Sequence, residues 1–173
     1  MSASRERRER LKKEAEIWRR DYELREKYSV LTADKLNECE ETQLLHAVAM
    51  NIQVRLENAI DMNSAFESLC NEQKNIYTLE YFDEDAKNSL STFFKNNGAP
   101  LLPNIITALK AVAADDIITY VESLYPMYDP DSEVSIDYPL VQKTDNQFAA
   151  AYDSDKLCRK CAAYIKTNKE KFI

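Results

Sequence analysis

Apolar residues recur at steps of three and four along most of this chain, the spacing of one face of a helix. From 4 to 28, Leu11, Ala15, Trp18 and Tyr22 step by 4, 3 and 4. They predict a narrow stripe on one exposed helix opened by Ser4. Such a stripe packs on a neighbour, from the same chain or from a second copy. Thr32 is expected to cap a second helical segment, whose apolar face is Leu44, Leu45, Val48, Ile52, Leu56 and Ile60. Ser64-Ala65-Phe66-Glu67 has the capping-box form and predicts the start of a helix carrying Phe66, Leu69, Cys70, Ile76, Tyr77, Leu79 and Tyr81. Asp83 offers a fresh cap ahead of Leu90, Phe93 and Phe94, and Asn96-Asn97-Gly98 predicts a stop with glycine in the left-handed conformation. Pro100 and Pro103 open the next helix, which buries Ile105, Ile106, Leu109 and Val112. Asp115 or Asp116 caps another, running through Ile117, Ile118, Val121 and Leu124. Pro126, Pro130 and Pro139 predict a loop or extended segment over 126–139. The last helices are expected over 146–152 and 157–168.

Composition points the same way. The chain has 173 residues, 45% of them hydrophobic, and a single glycine, Gly98. Sheets need glycine at turns and bulges, and phosphate-cradling loops need it at close approaches. The fold class expected is all-α: a single globular multi-helix domain with an extended N-terminal helix, 1–28 as the amphipathic helix and 29–173 as one folding unit. No apolar run reaches the ~18 residues of a membrane span. The charged N-terminus, MSASRERRERLKKEAE, lacks the apolar core of a secretory signal. The expected compartment is the cytosol, where Cys39, Cys70, Cys158 and Cys161 stay thiols.

Candidate chemistry is thin. Asp129, Asp131 and Glu133 have the 1-3-5 spacing of a calcium loop. However, Val134 stands where that loop needs glycine, and Leu140 where it needs glutamate. Cys158 and Cys161 form one CxxC, half of a zinc set, on one face of a predicted helix. His46 is the only histidine and reads as a packed or surface residue rather than a general base. No phosphate loop, nucleophile elbow or HExxH motif occurs. The expectation is a non-enzyme with no cofactor and no metal; an enzyme or metal protein built on Cys158 and Cys161 stays as a competitor.

Charge is the informative feature. The net charge is −7, yet residues 1–28 hold ten basic and seven acidic groups. Residues 57–137 hold four basic groups, Lys74, Lys87, Lys95 and Lys110, against fifteen acidic ones. A stable surface mixes signs to gain i,i+4 pairs, and like charges left together repel. Carboxylates at i,i+4 on a helix lie about 5–6 Å apart, and at i,i+2 on an extended segment roughly 6.5–7 Å apart. Nucleic-acid phosphates are spaced on a similar scale. Glu67, Glu72, Glu80, Asp83, Glu84, Asp85, Asp115, Asp116, Glu122, Asp129, Asp131, Glu133 and Asp137 are therefore candidates for a surface read by a basic partner. The competing reading of these residues is a soluble, solvated set of helices.

The stretch IYTLEYFDEDAKNSLSTFFKNNGAPLLPNIITALKAVAADDIITYVESLY carries an aromatic pair, an Asn and a Gly ahead of a helix rich in Ala and Leu. Here these are Phe93, Phe94, Asn96, Gly98, Leu109 and Ala111. Over about 64–172 the chain resembles a family of small all-helical bacterial proteins of unassigned function. Within that family it resembles the dimeric double-stranded-DNA mimics. Where the family carries a glycine pair before the aromatics, this chain has Asn88-Ser89-Leu90. The resemblance implies a homodimer that occupies the DNA-binding surface of a helix-turn-helix transcription factor, relieves its repression, and binds neither nucleic acid nor membrane itself. An immunity-type inhibitor of a basic nuclease and a non-catalytic helical adaptor are the alternatives.

Overall fold

The structure is a computed structural model that describes residues 3–98 and 101–173. Among these residues it has ten α-helices, a closing 3-10 turn at Lys169–Lys171, and no strand. The helices are α1 (Ala3–Tyr28), α2 (Ala33–Glu38), α3 (Glu41–Glu57), α4 (Met62–Glu67), α5 (Asn71–Ala86), α6 (Leu90–Asn96), α7 (Leu101–Ala111), α8 (Asp115–Tyr128), α9 (Tyr138–Ala151) and α10 (Ser154–Thr167). The fold is all-α, as the apolar spacing predicts.

Helix α5 is the hub. It packs on α3, α6, α7 and α10, while α3 also receives α1, α4 and α10. On the other side, α8 packs on α6, α7 and α9. One buried apolar cluster runs through all of this, from Tyr28 to Phe172. Its aromatic centre is Phe82 of α5, which meets Phe93, Phe148 and Tyr152 edge-on at centroid distances of 5.3, 6.1 and 6.0 Å. Rings in this geometry gain about 0.5–1.5 kcal/mol each beyond area burial. The neighbouring Phe94 stacks on Tyr128 at 5.1 Å, which anchors the last turn of α8 against α6.

Thr32 caps α2 by accepting from Lys35 N, as the sequence predicts, but that helix ends at Glu38 and the apolar face from Leu44 to Leu56 belongs to the separate α3. Neither Asp115 nor Asp116 caps α8; Ala114 holds that position and both aspartates lie in the first turn. Helix α9 starts at Tyr138, well before the expected 146. Other ends differ, each for a visible reason. Asp61, not Ser64, caps α4, accepting from Asn63 N and the Ser64 hydroxyl. That helix stops at Glu67, so Phe66 and Ile76 lie on different helices. Ile60, expected on the apolar face of α3, is fully exposed, because α3 ends at Glu57. Asp83 is not a cap; it lies inside α5, and Ser89 caps α6 through Thr92 N. Gly98 does not take a positive φ; the one left-handed residue described is Ala113 (φ 55), just after α7. Pro126 does not end α8. It lies in the last turn with its ring exposed, so the helix loses one hydrogen bond near its end and reaches Tyr128.

Of the stripe on α1, Leu11, Ala15 and Tyr22 are exposed. The side chains of Trp18 and Ser4 lie outside the described residues, as does Pro100. Among the described side chains of α1, those at its end join the core: Tyr28 is buried, and Asn51 of α3 donates to the Tyr28 and Ser29 carbonyls.

Candidate partner-binding surface

The structure sorts the thirteen candidate carboxylates by what already holds them. Four meet lysines: Glu67 with Lys74 at 2.8 Å, Asp83 with Lys87 at 2.6 Å, Asp116 with Lys156 at 2.7 Å, and Glu122 with Lys110 at 3.5 Å. The Lys156 bond holds the Asp116 carboxyl below the usual range. Glu80 sits 2.5 Å from His46 Nδ1.

Two candidates hold the fold together. Asp83 is buried, 4% exposed, and accepts from the Tyr152 hydroxyl as well as pairing with Lys87. It cannot touch a partner, which corrects its place among the surface candidates: it faces the core side of α5, four residues before Lys87. Asp85 accepts from Asn96 Nδ2 at 2.9 Å and Asn97 Nδ2 at 2.6 Å, tying α5 to the end of α6. The two asparagines that suggested a helix stop thus act through this carboxylate.

Seven remain without an ion pair to a lysine or arginine among the described residues: Glu72, Glu84, Asp115, Asp129, Asp131, Glu133 and Asp137. Glu72 lies in the first turn of α5, where its own backbone N–H and the Cys70 thiol hold its carboxyl below the usual range. Five of the seven belong to α8 and the connection to α9. Residues 111–142 contain seven carboxylates and no Lys, Arg or His.

Helix α8 explains how that stretch is displayed. Ile117, Ile118, Val121 and Leu124 face the core. Asp115, Glu122 and the C-cap Asp129 recur at steps of seven along one flank of the helix, beside the row that includes Ile118, about 10.5 Å apart along the axis. The stripe then turns a corner. Ser132 N donates to the Asp129 carbonyl at 3.0 Å, closing a turn over Pro130 and Asp131. Asp129 Oδ1 accepts from Asp131 N at 3.1 Å. Within the expected loop or extended segment, 129–132 is therefore a turn, because an aspartate before proline favours it. Asp137 caps α9 through Leu140 N. Asp129 and Asp137 shape the loop; Asp131 and Glu133 are exposed and make no side-chain bond. Beside them stand exposed Val134, Ile136 and Tyr138, the last 73% exposed. The field of the loop is felt inward: burial first, then the Asp129 and Asp131 charges, raise the Tyr125 hydroxyl.

The CxxC pair offers no comparable chemistry. Cys158 and Cys161 are buried on α10, and burial pushes the Cys158 thiol up to about 11 and Cys161 well above its ordinary value. A thiolate nucleophile or metal ligand needs the opposite shift.

A sequence profile described as DMP19-like protein matches residues 67–168, which include α5 to α10 and the whole acidic edge. The chain belongs to the DMP19-like protein family. No curated protein and no solved structure matches it. The DMP19-like region contains the aromatic centre, the Asp85–Asn96–Asn97 tie and the loop carrying Asp131 and Glu133. The structure also brings together a group that sequence spacing missed: His46 of α3, outside the matched residues, beside Glu80 and Glu84 of α5. The i,i+4 carboxylates were visible in the sequence, but the histidine reaches them only through the packing of α3 on α5. No helix among the described residues is long and apolar enough to cross a membrane.

Proposed function

We propose that this DMP19-like protein is a DNA mimic, whose α8–α9 edge occupies the DNA-binding face of a basic helix-turn-helix regulator and so relieves repression. The observation that carries the reading is the thirty-two-residue stretch 111–142, with seven carboxylates and no basic side chain, into which Lys110, Lys156 and Lys160 reach from outside, to Glu122, Asp116 and the Ala113 carbonyl. Asp115, Asp129, Asp131, Glu133 and Asp137 keep their charge for a partner.

A recognition helix carries arginines and lysines that meet phosphates and base edges. Carboxylates at the edge of α8 meet the same cations, steering encounter and giving contacts that weaken with salt. The stripe is sparser than duplex phosphate, with one charge per about 1.7 Å of axis. Val134, Ile136 and Tyr138 supply what a duplex lacks, apolar contact with a protein surface. A two-fold regulator presents two basic patches roughly 34–36 Å apart, which a homodimer of this chain would match.

The test is capture from the source cell's lysate with the tagged chain and with an Asp131→Lys/Glu133→Lys variant, at low and high salt. Retention of a DNA-binding protein by the first alone, lost at high salt, supports the reading. Equal retention by both contradicts it. Capture of a nuclease instead would replace the regulator with an enzyme target.

A further inference from the structure

We propose that His46, Glu80 and Glu84 form a binding site for a divalent first-row transition-metal cation, with zinc as its working probe. The proposal stands independently of the DNA-mimic reading.

The three residues come together from two helices. Glu80 and Glu84 are one turn apart on α5, so their side chains rise from the same face. His46 arrives from α3, which packs against α5. One ligand atom from each residue lies within 4.8 Å of the others. The His46 Nδ1 to Glu80 Oε1 separation is already 2.5 Å. Metal bonds of about 2.0–2.2 Å hold ligand atoms roughly 3–3.5 Å apart. A cation would therefore take the place of the hydrogen between His46 and Glu80, with that pair opening slightly and Glu84 closing in.

The surroundings fit a charged guest better than the bare cluster does. Two cavities, of about 110 and 250 Å³, flank the group, and His46, Glu80 and Glu84 line both. Room thus exists on either side for entry and for water in the remaining coordination positions. Glu84 makes no hydrogen bond or ion pair to another described residue. Two carboxylates a turn apart repel each other, and Lys87, the nearest lysine along α5, is engaged by Asp83. A divalent cation would neutralise both charges at once.

The donor set selects the kind of ion. One imidazole nitrogen and two carboxylate oxygens suit zinc, manganese or iron(II). Calcium and magnesium prefer sites made wholly of oxygen. With three protein ligands, at least one position is left to water. Bound metal would also clamp α3 to α5, beside the pocket reached by Ser154 and Cys158 of α10.

Because His46 is the only histidine, its ring C–H signals in proton NMR are an unambiguous reporter. The full chain is stripped with chelator and titrated with zinc chloride, following both calorimetry and the His46 ring signals. The expected result is one zinc per chain, with the ring signals shifted or broadened by the first equivalent. Glu84→Gln, an exposed and nearly isosteric change, should weaken binding about tenfold or more. Cys158→Ser should leave it unchanged, and magnesium alone should not shift the ring. Ring signals that ignore an equivalent of zinc would overturn the site, as would a Glu84→Gln chain, folded by circular dichroism, that binds like the parent. Zinc binding lost in Cys158→Ser and kept in Glu84→Gln would assign the metal to thiols and overturn it too.

Discussion

The Tyr152 hydroxyl donates to Asp83 Oδ1 at 2.5 Å, while Lys87 Nζ lies 2.6 Å from the other carboxylate oxygen. This contact joins α5 to the end of α9 beneath the aromatic centre. Burial and the Asp83 charge together push the Tyr152 hydroxyl far above its ordinary range, so it stays a donor. Asp83→Ala leaves that donor without its acceptor and should cost about 2–3 kcal/mol. Tyr152→Phe should cost about 1 kcal/mol, since the ring stays in the stack. Urea unfolding of the two variants measures both, and an Asp83→Ala chain as stable as the parent would contradict the interior role.

Ala113 carries φ 55, a conformation in which a Cβ crowds the following carbonyl. Its side chain is exposed, so nothing is lost from the core by removing it. Ala113→Gly should raise stability by up to about 1 kcal/mol. Thermal melting of the two chains under one buffer shows the gain as an upward shift of a few degrees.

The four thiols should react in two classes. Cys39 and Cys70 are half-buried, whereas Cys158 and Cys161 are buried with raised thiols. Iodoacetamide near pH 8 should label Cys39 and Cys70 first, and peptide mapping over time reads the order. Early labelling of Cys158 would mean that α10 opens readily.

Acid should weaken the fold partly through two pairs. Hydrogen bonds from Arg25 to Glu57 and from Lys156 to Asp116 lower both carboxyls in the folded chain. A lowered folded pKa gives stability that is present above the unfolded value and lost as pH falls through the folded one. The loss therefore begins below about pH 4.5, the ordinary glutamate value, and ends beneath the lowered folded values. Asp116→Asn should flatten part of that acid slope and leave stability above pH 6 changed only by the pair itself. Stability against pH for parent and variant, by urea midpoint, tests it.

Helix content was legible in the sequence because periodicity is local, and so were the Thr32 cap and the all-α class. The boundaries that failed turn on competition between neighbours. Asp61 outbids Ser64 because it reaches both Asn63 N and the Ser64 hydroxyl, and Ser89 stands at the true start of α6. The acidic stretch was legible as charge, but its sorting was not. That Asp83 faces the core and Asp131 faces solvent depends on which side of each helix meets α5, α6 and α9. His46 and Glu80 lie thirty-four residues apart and meet only in three dimensions.

The most direct test uses a regulator captured with the chain, bound to a labelled operator duplex and followed by fluorescence anisotropy. Adding the parent chain at modest salt should release the duplex, without the chain binding the duplex itself. The Asp131→Lys/Glu133→Lys chain should release it at least about tenfold less well at unchanged helix content, since each desolvated charge pair is worth on the order of 1.5 kcal/mol or more. Equal release by both chains, or no release by the parent at stoichiometric excess, would contradict the claim that the α8–α9 edge stands in for DNA.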